Sequence, residues 1–142
     1  MDSGPGERTW AVLAHLSGCL WILGIPFAAA ISTAIIYITK RHTSPFVADQ
    51  TREAQNFQNT VLLAIVAVFL CGAFVVERLA VRGATEPALG TIAVGAVVLA
   101  AIMIANVMLS IVAAVTAQRG EAFRYPFCVR FIRAASGPTT AR

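Results

Sequence analysis

The sequence predicts an all-α integral membrane protein with four transmembrane helices, or three in an alternative interpretation. Its 142 residues are 58% hydrophobic and 13% charged, whereas soluble domains carry about 25% charged residues. The mean hydropathy is +0.75. The apolar residues are gathered in long runs, and one long polar stretch, residues 44–59, lies among them. The length is that of one domain, so we predict a single helical membrane domain over residues 9–133, after a disordered N-terminus at residues 1–8.

The polar stretch 44–59 is predicted to begin a helix. Ser44 can cap the free backbone N–H groups, and Pro45 suits the first helical position, where no N–H is needed. At about 100° per residue, Phe46 and Phe57 fall on one side, and most of the charged and amide side chains fall on the other. We therefore expect an amphipathic helix in the membrane interface, with its aromatic side at the headgroup–acyl boundary, that runs on into the third span.

The first apolar run, residues 9–39, contains no Asp, Glu, Lys or Arg. Pro26 lies near its middle and bars a straight helix. We predict a tight hairpin of two short spans, residues 10–23 and 27–40, and a single kinked span is the alternative. A cleaved signal peptide is disfavoured, because the apolar run continues well past the small residues at 28–30.

Two further spans are predicted at residues 58–76 and 88–118, separated by a loop at residues 77–87. Arginine and lysine flank the polar stretch and crowd the C-terminal tail, whereas the loop carries two arginines balanced by two glutamates. By the positive-inside rule, the polar stretch and the C-terminus face the cytoplasm, and the loop faces out. The positive clusters predict contact with anionic headgroups of the lipid bilayer at the cytoplasmic face, and nucleic acid is not expected as a partner.

The tail that follows the last span interleaves aromatic residues with arginines over residues 120–133. Aromatic rings favour headgroup depth while guanidinium groups reach phosphates, so we predict an amphipathic tail anchored in the interface. A short helix is expected after Pro126, a left-handed cap at Gly120, and disorder over residues 134–142. Because the two segments carry opposite charges on the same side of the membrane, Glu53 is predicted to pair with a tail arginine.

Among the polar side chains inside the predicted spans, three are intramembrane candidates: His15, Asn106 and Ser110. His15 in the first span is a functional candidate, since ionisable groups at membrane depth are costly, and the alternative is a neutral histidine hydrogen-bonded to a neighbouring helix. Asn106 and Ser110 lie one turn apart on the last span. Such a stripe is more typical of hydrogen bonding between helices than of a transport site.

Catalytic motifs are absent from the sequence, which contains no HExxH, GxSxG or phosphate-binding loop. Cys19, Cys71 and Cys128 have neither CxxC nor metal-ligand spacing. We therefore predict no catalytic residues, no metal site and no cofactor.

Several short motifs in combination resemble a known family. They are Leu13–Gly18, Ser44–Val47, Glu53–Ala54, Asn56–Gln58, Gly120, Arg124–Pro126 and Arg130–Phe131. Together they resemble the bacterial domain-of-unknown-function family 4870, which is related to the twenty-kilodalton Tic subunit of the chloroplast import translocon. The resemblance implies a small helical domain of three or four spans in a bacterial inner membrane. Gln50 and Gln55 depart from the histidine and leucine that members of that family often carry.

The function we expect is that of a non-enzymatic membrane protein that binds or helps place other membrane polypeptides, with a membrane protein or a second copy as its partner. A small channel or transporter with a polar path near His15 and Asn106 is the alternative, and pure lipid organisation is a third. The candidate interaction surface lies on the cytoplasmic face and comprises Ser44, Pro45, Phe46, Glu53, Asn56, Phe57, Gln58, Arg124, Tyr125, Pro126 and Arg130.

Overall fold

The computed structural model describes residues 4–24, 27–42 and 44–133, and these residues form helices joined by turns and a non-helical C-terminal tail. The predicted all-α class is confirmed. The elements in order are α1 (Pro5–Leu16), a 3₁₀ helix (Ser17–Leu23), α2 (Ala28–Lys40), α3 (Pro45–Val81) and α4 (Thr85–Gln118).

α3 and α4 form one long antiparallel hairpin. α3 begins as predicted, because Ser44 Oγ accepts a hydrogen bond from Val47 N at 3.1 Å and Pro45 occupies the first turn. The two helices contain 37 and 34 residues, and both exceed the roughly 20 residues that cross a bilayer. Their turn occupies residues 82–84, where Gly83 has φ 70°. The loop predicted at 77–87 is therefore helical on either side of this turn.

The N-terminal part of the chain forms α1, the 3₁₀ helix and α2. α1 begins at Pro5, and Glu7 Oε2 accepts a hydrogen bond from Gly4 N at 3.2 Å. The disorder predicted for residues 5–8 is therefore wrong, and residues 1–3 lie outside the described part of the chain. After the 3₁₀ helix the chain passes Gly24 at φ 67°, and α2 packs back against that helix. The chain therefore folds back as a hairpin here, whereas a crossing of the membrane by each of its two halves stays a prediction.

The molecule consists of a helical bundle at one end and a two-helix apolar arm at the other. The first half of α3 is central, surrounded by α1, α2, the last half of α4 and the tail. The remaining halves of α3 and α4 project as a two-helix arm with exposed Leu, Val, Ile and Phe side chains. Only 6% of the most apolar 18-residue window of each long helix is buried. An apolar surface of this extent is expected to face lipid.

The C-terminal tail, residues 119–133, leaves α4 at Gly120, which has the predicted left-handed conformation with φ 80°. Beyond it the tail runs along α3 without forming a helix. The short amphipathic helix predicted after Pro126 is therefore wrong over the described residues. Residues 134–142 lie outside them.

Candidate functional site

The polar side of α3 is buried rather than exposed to solvent. Gln50, Glu53, Asn56 and Gln58 are each at most 1% exposed, and Phe57 on the apolar side is 6% exposed. The expectation that the aromatic side of this helix meets the headgroup–acyl boundary is wrong for Phe57, because other parts of the same chain cover it. The polar residues must therefore be satisfied inside the protein.

The backbone of the tail forms hydrogen bonds with a row of these polar side chains on one face of α3, which we call the stripe. Gln50 and Glu53 lie three residues apart on α3, so their side chains lie on neighbouring parts of one helix face. Phe123 N donates to Gln50 Oε1 at 3.0 Å, and Tyr125 N donates to Glu53 Oε1 at 3.1 Å. Side chains of α3 thus replace the backbone partners that the tail would have had in a helix.

The stripe continues along α3 with Asn56 and Thr60. Asn56 holds Ile132 at two points, since its Nδ2 donates to the carbonyl oxygen at 2.9 Å and its Oδ1 accepts from the backbone N–H at 2.8 Å. Val129 N donates to Thr60 Oγ1 at 3.0 Å. Non-helical backbone is tolerated next to lipid only where protein groups satisfy it, and this stripe provides those groups.

Ion pairs join the same two segments. Arg124 Nη1 donates to Glu53 Oε2 at 3.1 Å, so the predicted pairing of Glu53 with a tail arginine is confirmed. Arg130 lies 3.6 Å from Glu53, and Arg124 Nη2 lies 2.9 Å from Asp49, which also pairs with Arg52. Partial burial lowers the pKa of Arg124, but Asp49 and Glu53 outweigh it, so the pKa is raised overall. The arginine stays charged.

His15 is buried between α3 and the tail. Its Nδ1 lies 3.0 Å from Tyr125 Oη, and its Nε2 lies 3.2 Å from Gln50 Oε1. The Phe123 backbone N–H can only donate, so the Gln50 atom that it meets must be the oxygen. His15 Nε2 must then donate to that oxygen, and in the neutral ring Nδ1 accepts from the Tyr125 hydroxyl. Both ring nitrogens are therefore within hydrogen-bond distance of α3 and the tail, as in the alternative named from the sequence.

Tyr125 is the aromatic centre of the tail's contact with α3. Its ring stacks on Phe57 with centroids 3.8 Å apart and planes 6° apart, and it is 3% exposed. Burial raises the pKa of the Tyr125 phenol well above its usual range, and burial also raises the pKa of the Cys128 thiol nearby. The hydroxyl is therefore protonated and available to donate to His15.

A second chain of polar groups crosses the bundle closer to the arm. Trp21 Nε1 donates to Gln58 Oε1 at 3.2 Å, Gln58 Nε2 donates to Asn106 Oδ1 at 3.2 Å, and Asn106 Nδ2 donates to Gly18 O at 2.9 Å. The expected role of Asn106 in hydrogen bonding between helices is confirmed. Ser110, one turn away, is fully buried. A Cβ at Gly18 would collide with Ser110 Oγ and Gln58 Nε2, so glycine permits this approach.

The predicted interaction surface is divided by the structure. The interior contains Glu53, Asn56, Phe57, Gln58 and Tyr125, so these side chains pack against other parts of the same chain and do not form an exposed surface. The other predicted members are at least partly exposed, and they are Ser44, Pro45, Phe46, Arg124, Pro126 and Arg130.

Three residues of this site were not predicted from the sequence. Phe127, in a left-handed conformation with φ 55°, is 99% exposed, and nothing in the sequence pattern distinguishes it from the buried aromatic residue Tyr125. Gly18 appeared only as part of a motif. Gln50 appeared only as a departure from a family pattern, although its spacing with Glu53 and Asn56 marks one continuous stripe.

Metal and thiol chemistry receive no positive support from the described ranges. Among these residues no group of three or more His, Cys, Asp or Glu side chains lies close enough to hold a metal ion. The cysteines Cys19, Cys71 and Cys128 are free thiols.

Comparison with known families corrects the resemblance suggested by the motifs. Residues 6–132 match the model of MamF/MmsF, the magnetosome magnetite crystal formation protein family. The resemblance to domain-of-unknown-function family 4870 and to the chloroplast Tic subunit is therefore wrong. No curated protein and no solved structure matches the chain.

Proposed function

Because the chain belongs to the magnetosome magnetite crystal formation protein family, we propose that it is a non-enzymatic magnetosome membrane protein that binds or helps place other polypeptides during magnetite formation. The observation that carries the link to magnetite is the family match, which covers residues 6–132 and hence both the bundle and the tail. The two long apolar helices agree with a membrane location.

The fixed presentation of Phe127 supports a binding role. The residues on either side of it are held, because Tyr125 N donates to Glu53 and Val129 N donates to Thr60. The aromatic side chain between these two anchors is 99% exposed. Aromatic residues and arginines dominate the binding energy of many protein interfaces, and a prearranged loop loses less conformational entropy on binding.

Photo-crosslinking tests the binding role. A photoreactive amino acid at Phe127 in native membranes should give discrete polypeptide adducts. Tyr125 is unsuitable for the probe because it is buried. The matched control is a probe at Val81, which is 81% exposed at the far end of α3, and it should not give the same adducts. Adducts to lipid alone at Phe127 would contradict the proposed binding of polypeptides.

Genetic complementation tests the link to magnetite. In a magnetite-forming bacterium that lacks its own copy, this chain should restore the crystal size distribution measured by electron microscopy. Phe127→Ala should restore it less well at an equal protein level. Failure of the unaltered chain at normal abundance would contradict the role in crystal formation, whereas full restoration by Phe127→Ala would contradict the role of this surface.

We also propose that the tail faces the cytoplasm and that the turn at residues 82–84 lies on the other side of the membrane. The positive-inside rule supports this orientation. α2 contains 13 residues and is about 20 Å long at 1.5 Å per residue, which is shorter than the roughly 30 Å hydrocarbon core. We infer that the α1–α2 hairpin enters from the cytoplasmic side and penetrates only part of the bilayer.

Cysteine labelling tests this orientation. In a variant without native cysteines, Ala84→Cys should react with an impermeant maleimide only from the outer side, and His42→Cys only from the cytoplasmic side. Phe27→Cys, near the tip of the hairpin, should react from neither side. Labelling of Phe27→Cys from the outer side would mean that the hairpin crosses completely.

The channel alternative gains no specific support from the geometry. Both ring nitrogens of His15 and both amide atoms of Asn106 are engaged in hydrogen bonds within the bundle. Groups satisfied in this way fix the packing of the helices instead of offering free ligands to a passing solute.

A further inference from the structure

Two cavities lie side by side where the tail meets α3. The first, which we call the arginine cup, has a volume of about 330 Å³ and is lined mainly by Arg52, Glu53, Arg124, Arg130, Ile132 and Arg133. The second, which we call the apolar groove, has a volume of about 420 Å³ and is lined by Asn59, Leu62, Leu63, Val66 and Phe131. The tail connects them, because Phe131 lines the apolar groove and the next residue, Ile132, lines the arginine cup.

The arginine cup carries an excess of positive charge. Four arginines line it, and the carboxylates beside them are Glu53 in the wall and Asp49, which pairs with Arg124 and Arg52. Two positive charges therefore remain in excess.

Two arginines in the cup form only a long ion pair, or none, with the described residues. Arg130 reaches Glu53 only at 3.6 Å, and Arg133 forms no ion pair or hydrogen bond with the described residues. Guanidinium groups match phosphate oxygens in charge and in two-point geometry, so these two side chains can receive a phosphate.

The apolar groove runs from the cup toward the arm. Leu62 and Val66 are one helical turn apart on α3, beyond Asn59 and in the direction of the exposed apolar arm. Phe131 is 52% exposed and borders the groove from the tail. A ligand that fills both cavities needs a phosphate at one end and an aliphatic chain at the other.

We propose that the arginine cup and the apolar groove together form a binding site for one anionic phospholipid, with its phosphate in the cup and an acyl chain along the groove. The site differs from a general attraction of positive residues to the membrane surface, because it joins the guanidinium groups of the arginine cup to the apolar groove. It does not depend on a polypeptide partner, so it can hold or fail independently of the function proposed above.

Native mass spectrometry of the full-length protein in detergent tests the site. With phosphatidylglycerol added, the protein should bind one lipid in strong preference to phosphatidylcholine. Arg130→Gln combined with Arg133→Gln should weaken that binding about thirtyfold, since a basic residue near an anionic lipid contributes about fivefold. Phe131→Ala should also weaken it, through the lost acyl contact. Arg124 is left unchanged because it holds the tail.

The control removes the same charge elsewhere. Arg78→Gln combined with Arg82→Gln lies at the other end of the long hairpin, outside both cavities, and should leave the bound fraction within about twofold of the unaltered protein. Hydrogen exchange over residues 120–133, compared between unaltered protein and each variant, verifies that the tail is still docked. If a cup variant with a docked tail binds phosphatidylglycerol as well as the unaltered protein, the proposal is wrong.

A second arm distinguishes a lipid from free phosphate. Inorganic phosphate, added alone and measured by calorimetry, should bind far more weakly than phosphatidylglycerol because it has no chain to place in the groove. Equal affinity for both, unaffected by Phe131→Ala, would overturn the phospholipid assignment. Equal binding of phosphatidylcholine and phosphatidylglycerol would overturn the role of the arginines.

Discussion

Gly18 lies at a contact between the 3₁₀ helix, α3 and α4, where its carbonyl oxygen accepts from Asn106. Gly18→Ala should destabilise the protein by about 1–3 kcal/mol, because its Cβ collides with two side chains that already belong to the hydrogen-bonded chain. Thermal unfolding in detergent, followed by circular dichroism, would measure the loss. Gly95→Ala on α4 is the matched control, since a Cβ there meets nothing within 4 Å; equal unfolding temperatures for the two variants would refute the packing argument.

The stability of the folded protein is expected to fall at alkaline pH because of Tyr125. Because its pKa is raised in the folded protein, the neutral phenol is favoured there, whereas an unfolded tyrosine ionises near pH 10. Its stabilising contribution is therefore complete below about pH 10 and declines as the pH rises further. Unfolding temperatures between pH 9 and 11 should fall more steeply for the unaltered protein than for Tyr125→Phe. Tyr37→Phe, on the partly exposed α2, should keep the steep fall; an unchanged slope in Tyr125→Phe would show that another group is responsible.

At the scale of elements, the polar half of α3 acts as a template for the tail. Asn56→Ala removes both hydrogen bonds to Ile132, and the last part of the tail should detach while α3 stays folded. Hydrogen exchange over residues 129–133 should accelerate about tenfold, since two such bonds contribute about 1–3 kcal/mol together. Asn59→Ala is the control, because its hydrogen bond goes to Gln55. Unchanged exchange in Asn56→Ala would mean that other contacts suffice.

The same elements explain what the sequence could predict. Ser44 with Pro45 and Gly120 were predictable because capping depends on residues close together in the chain. The pairing of Glu53 with Arg124 followed from opposite charges on two segments expected on one side of the membrane. The path of the tail did not follow, because its ligands are backbone groups, which every residue carries. Helical periodicity detects a polar face but cannot distinguish one that meets water from one that meets another backbone.

At the scale of the whole molecule, the buried hydrogen-bonded polar side chains are concentrated at one end, and the exposed apolar side chains are concentrated at the other. The arm of α3 and α4 exposes aliphatic and aromatic side chains, whereas the bundle buries amides, a histidine and a carboxylate. These two ends suit two environments, the hydrocarbon core and the region near the headgroups. The tail supplies hydrogen-bond partners to the buried polar side chains at this end. The tail is therefore as much a part of the folded structure as the helices are.

Truncation after Gly120 tests whether the tail is integral to the fold. It would leave Gln50, Glu53 and Asn56 without their tail partners in an interior environment. Each buried polar group left unsatisfied costs about 1–3 kcal/mol, and the sum approaches the 5–15 kcal/mol of a typical domain. The truncated chain should fail to accumulate in membranes, as measured by quantitative immunoblotting. Truncation after Arg133, which removes only residues 134–142, should preserve the protein level. Normal accumulation of the shorter chain would show instead that water or lipid can replace the tail.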